Sequence, residues 1–137
     1  EMDVLNGTAL FNYMVDLYKV CLQKKITIGL GTDVGCPYVT PYDMWRELVY
    51  FAKYTGVSNA FALHTATEVN AEIAGVGGET GTVSVGKSAD FLITEKNPLD
   101  DLHALRSPAM VVMRGRVIDK PKVKKFEYVE NELDKYM

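Results

Sequence analysis

Cysteine is scarce. Cys21 and Cys36 are the only two in 137 residues, too few for a disulfide framework, and the expected compartment is a reducing cytoplasm. Long apolar runs are also lacking: none approaches the roughly 18 residues of a helical membrane span, and no signal-peptide pattern opens the chain. Neither sign of charge dominates, since 15 Lys and Arg face 18 Asp and Glu for a net charge of −3. Nothing therefore favours a nucleic-acid or membrane-surface partner, and the one basic cluster, Lys120 to Lys125, reads as a solvated tail. Histidine is as rare as cysteine, and His64 and His103 do not form a metal-spaced pair. His64 sits among Phe61, Ala62 and Leu63, where a packed or exposed helix histidine is expected. His103 follows Asp100-Asp101-Leu102, in a connection. The length suits one domain with a real core, and no repeat or low-complexity segment is visible.

The most telling stretch is Ile26-Thr27-Ile28-Gly29-Leu30-Gly31-Thr32-Asp33. A short β-branched run bounded by glycines reads as a strand buried on both faces of a parallel sheet. A carboxylate at the C-terminal end of such a strand lies where a (β/α) barrel places its chemistry. Asp33 has a plainer reading too, as a loop cap bonding backbone N–H groups. The glycines imitate a dinucleotide loop, but their spacing is G-x-G-x-x-x-G and the next helix starts too late to meet a pyrophosphate. Lys87, in Val85-Gly86-Lys87-Ser88, lacks the upstream glycine of a P-loop.

Along the chain, the spacing of Leu10, Met14, Leu17, Tyr18 and Cys21 predicts a helix over 8–23, with Asn6-Gly7-Thr8 as its cap. A strand is expected over 26–31. The segment 33–40 is too rich in glycine and proline for helix. A second helix is expected from Pro41 to Tyr54, ended by Gly56. Ser58 or Asn59 caps a third helix reaching Thr65, and Thr67 caps a short fourth one. After Gly75 the period becomes two, giving expected strands at 82–85, 90–94, 109–113 and 116–119, with a turn at Arg114-Gly115. A weak helix is expected after Phe126.

Several pieces recur in a fixed order: the Gly-Thr-Asp strand end, then Ala66-Thr67-Glu68-Val69-Asn70-Ala71-Glu72-Ile73-Ala74-Gly75, then Gly81 to Thr94, then Val111 to Ile118. From about residue 5 to residue 119 the series resembles the C-terminal part of the metal-dependent amidohydrolase superfamily, nearest its imidazolonepropionase and prolidase-like branch. The resemblance implies an α/β fold: the C-terminal portion of a (β/α)8 barrel (last strand and helices), followed by the β-strands of a small composite β-sandwich. Residues 1–75 would be barrel, 76–119 sandwich and 120–137 tail. A whole barrel takes about 200 residues, and the chain opens on Glu1, so a piece of a longer enzyme is expected.

In that family the aspartate at this place faces a divalent metal, zinc being expected, and shuttles a proton during hydrolysis of a C–N bond. The resemblance assigns both roles to Asp33. Its other ligands, a His-x-His and further histidines, belong to barrel strands outside this sequence, so the chain alone is expected to be inactive. Cys36 lies near the mouth of the site, able to touch substrate, though a buried apolar filler is the more usual role for a free cysteine. Tyr38 and Thr40 share the same loop, where substrate contact and plain packing are both open. Asp90 reads as a hydrogen-bonding turn residue. The expected partner is a small amide or dipeptide-like substrate, with self-association through unpaired strands. The competing reading is a non-catalytic module that keeps the sandwich strands for structure or binding.

Overall fold

The computed structural model describes residues 7–137. The expected cap residue Asn6 lies outside them. Helix α1, Gly7–Gln23, forms where the apolar spacing predicts it, but none of its residues is buried. It leans on the next helix through aromatic edges, with Phe11 against Tyr54 at 4.8 Å and Tyr18 against Phe51 at 6.3 Å.

Helix α2, Met44–Thr55, carries the core. Trp45, Leu48, Val49 and Phe51 point inward to meet Ala62 and Leu102, each large apolar side chain contributing about 1.5–3 kcal/mol on burial. The helix begins later than Pro41 because Asp43 is engaged in front of it, accepting from Thr40 Oγ1 at 2.6 Å and Trp45 Nε1 at 3.2 Å. Gly56 closes it in the left-handed region at φ +79°, its N–H bonded to the Ala52 carbonyl.

The two short helices expected after Ser58 are one continuous element. Helix α3, Asn59–His64, is capped by the Ser58 hydroxyl accepting from the Phe61 N–H. It passes through a π-helical turn, Thr65–Val69, into α4, Asn70–Ile73. Thr67 is therefore not a cap; its hydroxyl donates back to the Leu63 carbonyl at 2.7 Å.

Three strands form one antiparallel sheet in the order β1 (Phe91–Ile93), β2 (Met110–Met113), β3 (Arg116–Asp119). The β2–β3 hairpin pairs Met113 with Arg116. Its two turn residues, Arg114 and Gly115, have φ of +49° and +77°, the tight primed turn that matches strand twist. Asp90 holds this turn by accepting from the Arg114 N–H at 2.7 Å and from Thr80 Oγ1 at 2.9 Å. Those bonds, the backbone one foremost, keep its carboxyl below the usual range. A 3-10 turn, Leu102–Arg106, separates β1 from β2, and helix α5, Glu127–Asp134, ends the chain.

Two expected strands are absent from the described residues. Segment 82–85 makes no ladder, and Val83 and Val85 face solvent. Lys87 organises this stretch instead, its ammonium donating to the Gly77 carbonyl and to Thr82 Oγ1, both at 2.6 Å. Where sandwich strands were expected, the described residues form one three-stranded layer. Segment 26–31 is also unpaired, because a strand exists only through a neighbour's ladder and no other strand of the described residues lies beside it. The architecture is mixed α/β with a small antiparallel sheet.

Candidate active site

The 26–31 segment leads into the loop that carries the candidate residues of the sequence analysis. Asp33 adopts φ +50° and is exposed, a left-handed conformation that aspartate tolerates better than most residues. The Cys36 N–H donates to the Asp33 carbonyl at 3.3 Å, and the Val39 N–H to the Cys36 carbonyl at 3.1 Å. Two consecutive tight turns thus gather Asp33, Cys36 and Tyr38 on one loop. Among the described residues no hydrogen-bond donor engages the Asp33 carboxylate, so the loop-cap arrangement is not the one adopted.

Cys36 is exposed, which corrects its reading as a buried filler. The turn at 33–36 turns its side chain outward. Tyr38 is half exposed, its hydroxyl 3.4 Å from that of Tyr128 on α5. Thr40 is buried and spends its hydroxyl on Asp43, so it packs rather than lines a pocket.

The histidines lie elsewhere. His64 is exposed on α3, 3.1 Å from Glu68. His103 contacts Asp101 at 2.7 Å, with its ring 5.6 Å from that of Trp45. No group of three His, Cys, Asp or Glu side chains converges among the described residues. Asp33 is thus not part of such a group among the described residues.

Two neighbours of the site escape a reading of the sequence. Glu47, half-buried on α2, has its carboxyl pushed up, by burial first and then by the negative charge of Asp33. It also lines an open, mainly apolar groove of about 610 Å3 together with Phe11, Met14, Tyr18, Leu30 and Tyr50. Asn70 reaches back forty positions: its Nδ2 donates to the Leu30 carbonyl at 2.8 Å while its Oδ1 accepts from the Leu30 N–H at 2.9 Å. Neither signal is local in sequence. Glu47 falls at the edge of an amphipathic stripe, and Asn70 inside a helical pattern looks like any surface residue.

The Amidohydrolase family model matches residues 15–120. A prolidase candidate from Bifidobacterium longum has a solved structure similar to this chain, with a TM-score of 0.86 and 46% identity over 89% of this chain and 30% of that one. A Xaa-Pro dipeptidase with methionine bound in its active site superposes with a TM-score of 0.69 at 26% identity, covering 77% of this chain and 25% of its own. N-acetylglucosamine-6-phosphate deacetylase of Caenorhabditis elegans is 41% identical over 76 residues, 56% of this chain and 17% of that protein. The chain spans less than a third of each of these relatives. With most of its length matched by the family model, the chain belongs to the amidohydrolase family.

Proposed function

We propose that this chain is the C-terminal part of a metal-dependent amidohydrolase that hydrolyses C–N bonds, and that Asp33 is its metal-facing, proton-carrying aspartate. In this reading residues 26–31 are the last strand of a (β/α)8 barrel, and the remaining metal ligands come from earlier strands. The observation that carries it is the Asp33 carboxylate, exposed at the end of a Gly-flanked segment and unengaged by the loop around it. A carboxylate so placed accepts a proton from the attacking water and passes it to the departing nitrogen. For the substrate class we take a dipeptide whose second residue is proline, as the name of one structural relative, a Xaa-Pro dipeptidase, suggests. Cys36 and Tyr38, on the same loop, face it.

The test is Asp33→Asn in the full-length protein, assayed with methionyl-proline. The variant keeps size but removes the charge and the ability to carry a proton. Turnover is expected to fall about 100-fold or more, with KM changing less, and metal content must be measured alongside. Wild-type turnover at full metal content would show that catalysis does not need the Asp33 carboxylate and would overturn its proton-carrying role.

A further inference from the structure

We propose that Asn70 is a positioning residue for Asp33, and that the π-helical turn at Thr65–Val69 is what aims it. The inference rests on the reading of Asp33 as the reacting carboxylate. A primary amide carries the same donor and acceptor as a peptide group. By bonding both the N–H and the carbonyl of Leu30, Asn70 supplies to that residue what a neighbouring strand would supply. One bond would hold only one of the two peptide groups that flank Leu30; two hold both, and so fix the residue between them. Asp33 follows three residues later, so the anchor sits at most about 10 Å of chain away.

Two further features fit this contact. At Gly29 a β-carbon would stand 2.8 Å from Asn70 Oδ1 and 3.0 Å from Ile73 Cδ1, so only glycine lets the helix approach this closely. The π-turn sets the direction. The Asn70 N–H bonds to the Thr65 carbonyl, five residues back, and the extra residue re-phases everything after it. Ala62 and Thr65 stay in the core, at 0% and 2% exposure, while Asn70 and Ile73 face residue 29. An unbroken α-helix would carry Asn70 roughly 100° further round, away from Leu30. Such turns are rare and concentrate at functional sites. Here the Thr65 and Thr67 hydroxyls add partners to the Phe61 and Leu63 carbonyls, where the ladder shifts.

Asn70→Ala and Asn70→Asp are to be compared in the full-length protein with methionyl-proline at matched metal content. Ala removes both bonds, whereas Asp keeps the acceptor and loses the donor. For Ala, kcat is expected to fall about tenfold or more with KM within about threefold, and for Asp by an intermediate amount. In an Asp33→Asn background the Ala change should add almost nothing, because both act through one group. In the 137-residue chain, Ala should speed amide exchange at Leu30 about tenfold and leave Gly56 protected. Unchanged Leu30 exchange overturns the clamp. Unchanged kcat in Asn70→Ala, beside an inactive Asp33→Asn, overturns the positioning role alone. Full turnover in Asp33→Asn overturns both this proposal and the functional reading beneath it.

Discussion

At Gly29 one methyl group decides how close two segments can come. The side chain that would collide with it, Asn70, is held in place by its own bonds to Leu30, so it cannot swing aside without giving them up. Gly29→Ala is expected to cost about 1–3 kcal/mol, the range for overpacking a filled site. Combined with Asn70→Ala it should cost much less than the sum, because the second change removes the atom the first collides with. Thermal melts of the two single variants and the double would read this directly. Additive losses would mean that Gly29 serves something other than the approach of Asn70.

Among the elements, α5, expected only as a weak helix, is held by a cluster of ion pairs. Arg46 on α2 is 3% exposed at its side chain and bonds Glu130 at 3.2 Å and Asp134 at 2.8 Å, while Arg106 reaches the same two carboxylates at 3.1 and 2.8 Å. Both guanidinium groups also lie over the Trp45 ring. Removing Arg46 leaves Glu130 and Asp134 to Arg106, so Arg46→Ala should cost the chain its charged hydrogen bonds, about 1.5–3 kcal/mol in a denaturant titration. Partial burial works against the charge on Asp134, but its bonds to Arg106 and Arg46 prevail and hold its carboxyl below the usual range. A carboxylate depressed in this way stabilises the fold above its unfolded pKa of about 3.9. That contribution fades as the pH drops through the lower folded value. Loosening of α5 is thus expected in strong acid, visible as loss of amide protection at 127–134 before the α2 core opens. The Arg46–Glu130 pair joins residues 84 positions apart, which is why the sequence shows a weak amphipathic tail and nothing of its anchor. Helices α1 and α2 and the β2–β3 hairpin were legible because their signals are local: a 3.6-residue stripe, a glycine cap, Arg114-Gly115 between alternating strands. The π-turn was not, since no residue type announces it. The run at 26–31 has the composition of a strand, but pairing depends on a neighbour that its own residues cannot supply.

At the scale of the whole molecule, the exposed apolar surface is the dominant fact. Leu10, Phe11, Met14 and Leu17 of α1 are each more than two-fifths exposed, and the backbone of 26–31 is without a ladder. Unpaired backbone and bare apolar faces favour association, so sedimentation of the isolated chain at rising concentration should show species larger than a monomer. A clean monomer at high concentration would count against this. The isolated chain should also retain little zinc after dialysis and show no hydrolysis of methionyl-proline, since a catalytic zinc needs about three protein ligands. A stoichiometric, tightly held metal would direct attention back to Cys36, His64 and His103.

The ammonium of Lys87 bears on a different property, resistance to digestion. Trypsin must draw a lysine side chain fully into its specificity pocket and straighten the backbone around it. Lys87 cannot be drawn out without abandoning the Gly77 carbonyl and the Thr82 hydroxyl, whereas Lys122 and Lys124 stand exposed in a segment without helix or strand. Brief digestion should therefore cut first after those two, releasing the α5 segment as a peptide, while the Lys87–Ser88 bond survives. The order in which fragments appear on a gel would report, from a few micrograms of material, how much of the fold is in place.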